Sequence, residues 1–402
     1  MIDVVIPVYR GLAETRRCIE SVLASRQAAA FETVVIDDAT PEPKIAAWLD
    51  GLAAEGRVTL LRNPANLGFV ASVNRGMSRH PDRDVVLLNS DTEVANDWLD
   101  RLAACAGSVP QVATVTPFSN NATICSYPFE GWQGEIPGTL GLAELDRIFA
   151  TVNARRSVEI PTAVGFCMYI RREALEAFGL FDAERYGRGY GEENDFCMRA
   201  VKAGWKNLLA GDVFVFHEGS VSFSEERHAL QQVAGKRLVE VHPDYPARVH
   251  EYLVADPASG LRSAIDHARL ERGMDEARSV LAERADERSR IMQGLWHIEN
   301  LAVQRDSVIG QLNRGLEHAS AAIAERDRGI VERDRIIAER NGTIAAKEGE
   351  VAQLRAGLAH AEALAFARQA ELERIHKSRL WKAMRAYVRV RLMLRRKADG
   401  AS

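Results

Sequence analysis

Three short stretches carry carboxylates and a histidine in positions suited to chemistry. Asp84-Val85-Val86-Leu87-Leu88-Asn89-Ser90-Asp91 reads as a buried strand that delivers Asp91 at its carboxyl end, followed by Thr92 and Glu93. Open α/β sheets bind ligands outside the carboxyl ends of their strands. A carboxylate there suits a hard cation that holds phosphate oxygens. Gly191-Glu192-Glu193-Asn194-Asp195 packs three carboxylates into four positions at an expected helix start. Such charge either complements the helix dipole or, at the mouth of a pocket, takes a proton from a hydroxyl. His217 ends the strand-like Val213-Phe214-Val215-Phe216. A histidine so placed completes a metal site, binds a phosphate or is simply structural.

Other stretches suit a nucleotide. In Ile6-Pro7-Val8-Tyr9-Arg10-Gly11, Pro7 and Gly11 fix the turn after the first strand, and Tyr9 either presents its ring to a base or merely ends the strand. Asp37 and Asp38 follow Thr33-Val34-Val35-Ile36; acids there accept hydrogen bonds from a base or ribose, or cap the next helix. In Asn63-Pro64-Ala65-Asn66-Leu67-Gly68-Phe69, Asn66 and Gly68 suit a tight turn whose backbone approaches a ligand, and Asn74 lies within the helix that follows. Gly187, Gly189 and Gly191 imply a mobile loop before the acidic cluster. Nothing matches a P-loop or a GxGxxG fingerprint, which argues against ATPases and dehydrogenases.

The elements that must position these residues alternate. Strands are expected at Val4–Ile6, Thr33–Ile36, Val58–Leu61, from Val85, at Val164–Ile170 and at Val213–Phe216. Helices are expected at Glu14–Ala24, Lys44–Ala54, Phe69–Ser78 and Glu193–Ala203. This βαβα order predicts an α/β fold with a mainly parallel sheet flanked by helices over residues 1–255.

From about Leu261 the pattern changes. Met274, Leu281, Leu295, Ala302, Ile309, Leu316, Ile323, Ile330, Ile337, Ile344, Val351, Leu358, Ala365 and Leu372 share one heptad phase, broken only by Arg288. A sustained seven-residue period predicts a left-handed coiled coil. The companion seam holds Arg326, Arg333, Arg340 and Lys347, and Gly329, Gly342 and Gly349 weaken the helix. Self-association as a coiled coil and a long solvated helix both stay open for 261–375. In the third segment, 376–402, Lys377–Lys397 holds nine basic residues and no acid. Trp381, Met384, Val388 and Leu392 share one helical face there, which suits an anionic membrane surface; the plainer alternative is a solvated basic tail.

The 402 residues carry a net charge of −4, so nucleic acid is not an expected partner. Five scattered cysteines without a CxxC pair suit reduced thiols. No secretory leader and no spanning helix is expected, which predicts a cytoplasmic protein whose only membrane contact is peripheral.

Taken together and in this order, the motifs resemble the family 2 glycosyltransferases, inverting enzymes of the GT-A fold that use nucleotide-diphosphate sugars. The resemblance spans residues 1 to about 250. It rests on Ile6-Pro7-Val8-Tyr9, Val35-Ile36-Asp37-Asp38, Asn66-Leu67-Gly68-Phe69 with Asn74-Arg75-Gly76, Leu88-Asn89-Ser90-Asp91-Thr92-Glu93, Gly191 to Arg199, and His217. Within the family the motifs are similar to those of bacterial enzymes building rhamnose-containing surface polysaccharides.

The resemblance implies that Pro7, Tyr9, Asp37 and Asp38 hold the base and ribose, and that Asn66, Gly68 and Asn74 line the nucleotide-sugar cleft. Asp91 matches the last acid of the family's Asp-x-Asp and would bind Mg2+ or Mn2+ on the diphosphate, with His217 sharing the load. Glu193 matches the second acid of the family's Glu-Asp pair, the general base. Two departures stand out: Asn89 replaces the first acid of Asp-x-Asp, and Glu193 replaces the commoner Asp. The implied reaction is hexosyl or deoxyhexosyl transfer to a glycan or lipid-linked acceptor hydroxyl. A sugar-1-phosphate nucleotidyltransferase is a weaker alternative, because it needs a Gly-rich basic loop that Tyr9-Arg10-Gly11 barely supplies. A non-enzymatic coiled-coil scaffold with a degenerate head is another.

Overall fold

Continuous apolar runs make the first four strands, as expected for a sheet buried on both faces. β1 (Ile2–Val8), β2 (Phe31–Asp37), β3 (Thr59–Arg62) and β4 (Asp84–Leu88) alternate with α1 (Leu12–Ala24), α2 (Pro43–Ala54) and α3 (Phe69–Met77). There follow β5 (Thr92–Glu93), α4 (Trp98–Ala106), β6 (Val112–Phe118), α5 (Leu142–Val152), β7 (Ser157–Ile160) and β8 (Cys167–Ile170). Next come α6 (Arg172–Phe178), α7 (Ala183–Tyr186), α8 (Glu192–Lys202), β9 (Lys206–Phe214), β10 (Phe216–His217) and α9 (Ser224–Val241). The chain ends in α10 (Tyr245–Ala255), α11 (Ser259–Leu270), α12 (Met274–Glu325) and α13 (Ile330–Lys377). This structure, a computed structural model, describes residues 1–219, 224–325, 330–377 and 383. The expected basic amphipathic helix, with Trp381, Met384, Val388 and Leu392, lies outside the described residues, as does Arg326 of the charged seam.

Eight strands form one mostly parallel sheet in the order β3-β2-β1-β4-β8-β6-β9-β7. β1 to β4 are mutually parallel where they touch, β8 runs antiparallel between β4 and β6, and β9 is again parallel to β6. Alternation along each strand splits the core in two. Val4, Ile6, Val8, Val86 and Leu88 face one side with Ile19, Leu49 and Trp98; Val5, Val85 and Leu87 face the other with Val73, Met77 and Phe196. Gly76 lets α3 lie against β1, since a Cβ there would collide with Val5. The fold class read from the sequence, a mainly parallel sheet flanked by helices and then a long helical region, is the one observed.

The chain divides into two compact units, Met1–Glu283 and Arg284–Ser402. The first therefore extends past residue 255 to take in α11 and the opening turns of α12. Gly273, at φ 122, separates α11 from α12. Arg269 is fully buried there; its guanidinium donates to Tyr127 Oη (2.9 Å), to Glu276 (2.7 Å) and twice to Glu283 (2.7 Å each). Tyr127 in turn donates to Asp266 at 2.7 Å. In the second unit, the heptad residues Leu295, Ala302, Ile309 and Leu316 are partly covered, whereas Trp296 and Val303 beside them are about two-thirds exposed. Among the described residues no helix is long and apolar enough to cross a membrane.

Candidate active site

Pro7, Tyr9, Asp38, Asn66, Gly68, Asp91, Glu193 and His217 line one cavity of about 520 Å3 within the first unit. The cavity opens at the carboxyl ends of β1, β2 and β4, where a parallel sheet presents its loops. β4 ends at Leu88, so Asn89, Ser90 and Asp91 fall directly on the cavity wall.

A two-stranded ribbon brings His217 to Asp91. β10 pairs antiparallel with β5, with His217 opposite Thr92, and His217 Nε2 stands 3.5 Å from Asp91 Oδ1. The His217 Nδ1–H donates to the Asn121 carbonyl at 2.7 Å, because a carbonyl only accepts. The Asn120 amide side chain holds the His217 backbone from both sides, at 2.8 and 2.9 Å, and Phe166 stacks on the imidazole with centroids 5.2 Å apart. The ring is thus fixed with Nε2 towards the carboxylate. Burial alone would push the Asp91 carboxyl up, but the neighbouring imidazole and backbone amides, including that of Gly219, bring it below its ordinary value.

The acidic cluster separates into two roles. Glu192 and Glu193, the first residues of α8, both line the cavity. Oε2 of each is buried and accepts no hydrogen bond among the described residues. Burial, reinforced by the charge of Glu193, pushes the Glu192 carboxyl far up. Burial also raises Glu193, against the pull of its own amide and that of Gly191. Asp195 points elsewhere and accepts from Arg199 Nε and from His242 Nε2, each at 2.9 Å.

The wall between these groups comes from two loops. Asp38 Oδ1 accepts from the Leu67 amide and the Asn63 side chain, both at 2.8 Å, and Oδ2 from the Gly68 amide at 2.9 Å, which shapes the 63–68 turn. Gly68 has φ 86, and a Cβ on it would come within 2.8 Å of the Arg188 backbone, so no other residue fits there. Gly187, Gly189 and Gly191 likewise hold positive φ, so they serve the shape of the loop that carries Arg188 and Tyr190.

Two expected nucleotide residues lie off the cavity lining. Asp37 accepts from the Thr40 amide (2.8 Å) and from Arg62 Nε (3.0 Å), its register partner on β3, so its carboxylate is engaged in joining strand ends. Asn74 exchanges hydrogen bonds with the Phe181 backbone at 2.8 and 3.1 Å, clamping α3 to the 179–182 turn. Sequence reasoning left Glu192, Arg188 and Phe166 out of the site. Glu192 was visible only as charge density, and the other two had no local signal.

Residues 3–179 match the model of glycosyl transferase family 2. The match covers β1 through α6 and ends before α8 and His217. An uncharacterized protein of Sinorhizobium fredii, y4gI, is 26% identical over 282 residues, which is 66% of this chain and 29% of that protein. The chain thus spans less than a third of this relative's length. Among solved structures, GalNAc-T7 with UDP, GalNAc and Mn2+ aligns at TM-score 0.44 and 19% identity, over 66% of this chain and 55% of its own. The mannosyltransferase PcManGT of Pyrobaculum calidifontis, with GDP-Man and Mn2+, aligns at TM-score 0.42 and 16% identity, over 71% and 79%.

Proposed function

We propose that the first unit is an inverting, metal-dependent glycosyltransferase moving a hexose or deoxyhexose from a nucleotide-diphosphate donor to a hydroxyl of a glycan or lipid-linked acceptor. The observation that carries the reading is the meeting, in one cavity, of the Asp91–His217 pair with the Glu193 carboxylate, whose buried Oε2 accepts no hydrogen bond among the described residues. The match to glycosyl transferase family 2 supports the reaction class.

Glu193 would act as the base. The acceptor hydroxyl gives its proton to Glu193 while its oxygen attacks the anomeric carbon. The bond from that carbon to the diphosphate breaks, and the diphosphate leaves with the electron pair. Attack from the side away from the leaving group inverts the centre. A carboxylate whose proton affinity is raised by burial is the stronger base for this step. Tyr9, Pro7, Asn66 and Gly68 would border the donor, with Asp38 shaping the turn they share. Asp37 and Asn74 would act at one remove, by fixing β2 and α3.

The donor set fits a divalent ion. The 3.5 Å between Asp91 Oδ1 and His217 Nε2 is longer than an ordinary N–H···O bond. It is short enough for both atoms to meet one ion at bonds of about 2.1 Å. The Nδ1 bond to Asn121 supplies the outer contact that ligating histidines usually make. Such an ion would neutralise charge on the departing diphosphate. A nitrogen ligand beside a single carboxylate favours Mn2+ over Mg2+.

The reading extends to the rest of the chain. α12 and α13 would associate with a second copy through the heptad seam, and the basic segment 377–397 would rest on anionic lipid at the cytoplasmic face. Assembly of a rhamnose-containing bacterial surface polysaccharide fits this placement. The test is a panel of UDP-, dTDP- and GDP-sugars, with and without Mn2+, on the wild type, Asp91→Ala and Glu193→Gln. Transfer or donor hydrolysis that ignores both substitutions sinks the site. A protein inert to the whole panel, with partner binding unaffected by Asp91→Ala, points to the scaffold alternative.

A further inference from the structure

Behind the cavity lies a buried chain of polar contacts that the reaction does not use. Lys202 Nζ stands 2.8 Å from His242 Nδ1, and His242 Nε2 stands 2.9 Å from Asp195 Oδ1. Asp195 Oδ2 accepts from Arg199 Nε at 2.9 Å, and Arg199 donates onward to the carbonyls of Phe178 and Leu180. His242 and Asp195 are both about 97% covered. An ammonium only donates, so Nδ1 must accept and Nε2 must carry the proton given to Asp195. One tautomer of one histidine is thereby selected.

The position of this chain gives it a role. Asp195 is one turn into α8, the helix whose first two residues are Glu192 and Glu193, and its amide donates to the Gly191 carbonyl at 2.9 Å. His242 directly follows α9, the helix that packs Ala234 and Leu238 into the same core cluster as Phe196 and sets Gln231 on the cavity wall. The His242–Asp195 bond therefore ties together two helices that both reach the cavity. Among the described residues, neither glutamate has a side-chain partner on Oε2 to hold it from the front.

We infer that His242 is a positioning residue: through Asp195 it fixes the start of α8 and thereby the aim of Glu193 at the acceptor oxygen. The inference rests on the proposed glycosyltransferase reading for its catalytic consequence. A reacting atom displaced by about 1 Å costs up to about a hundredfold in rate. The loss belongs in kcat, because the donor end of the cavity, around Tyr9 and Asp38, does not touch His242.

The test compares His242→Leu, which removes the donor, with His242→Gln, whose side-chain amide nitrogen replaces Nε2. His242→Leu should lower kcat about tenfold to a hundredfold with the donor KM within about twofold, and His242→Gln should recover most of it. Hydrogen exchange at residues 191–199 should quicken in His242→Leu and return toward wild type in His242→Gln, with the melting temperature recorded for both. Unchanged exchange there in a folded His242→Leu overturns the inference, as does quickened exchange with kcat intact. An equal fall in kcat for Leu and Gln also overturns it. A wild type that turns over no sugar nucleotide in the panel defeats the glycosyltransferase reading instead, and exchange alone then decides whether His242 holds α8.

Discussion

At the amino ends of β1 and β2, Asp3, Glu32 and His80 bring their ligand atoms within 4.8 Å of one another. At the carboxyl end of β4, Asp91 and His217 stand 3.5 Å apart. The residue types are the same, and by ligand spacing alone the first cluster is the better metal site. Its charges, however, are already answered. Arg83 donates to Asp3 at 2.9 Å and to Glu32 at 2.7 Å, His80 holds the other Asp3 oxygen at 2.8 Å, and Thr59 donates to Glu32 at 2.6 Å. Burial would raise Glu32, yet the Thr59 and Arg83 bonds hold it below the ordinary value. On the cavity wall, Oε2 of Glu192 and Oε2 of Glu193 have no such guanidinium partner among the described residues. The difference teaches that proximity of ligands marks a site only where the protein has not supplied its own cation.

The comparison can be broken at its strongest point first. Glu193→Gln should lower kcat about a hundredfold to ten-thousandfold, measured by product release from the active donor, without loss of thermal stability. Asp91→Ala should cost about a hundredfold and abolish any advantage of Mn2+ over Mg2+ in a metal titration. At the other end of the sheet, Asp3→Ala should leave kcat within about twofold while lowering unfolding free energy by about 2 kcal/mol in urea titrations. A large kinetic effect there would reverse the roles assigned to the two ends.

Two smaller effects follow from the raised carboxyls. A base raised by burial is lost as pH falls through its raised value. The acid limb of kcat/KM should therefore lie above the ordinary glutamate value of 4.5 and vanish in Glu193→Gln. For stability the sign is opposite: a raised Glu192 contributes below its unfolded value, and that contribution is lost as pH rises through the folded one. Glu192→Gln should therefore raise the melting temperature at about pH 8 and leave it nearly unchanged at about pH 4.

What the sequence made legible was local. A strand running into Asn-Ser-Asp placed Asp91, and a strand ending in His placed His217, because strand ends are visible in residue order. The expected boundaries of α2, α3 and α8 lie within about two residues of the observed ones. Pairing was not legible. Asp37 reads as a free acid until Arg62, 25 residues on, is seen beside it, and Asn74 reads as a ligand until Phe181, 107 residues on, takes both its hydrogen bonds.

Arg269 sets where this protein can be cut. A fragment ending at residue 270 would keep Arg269 but lack Glu276 and Glu283, leaving its guanidinium sealed beside Tyr127 without the two carboxylates it donates to. Removing one side of a buried ion pair typically costs several kcal/mol. Anyone excising the first unit should therefore keep the first three turns of α12, treating Glu283 as its last brick rather than as the start of the second unit.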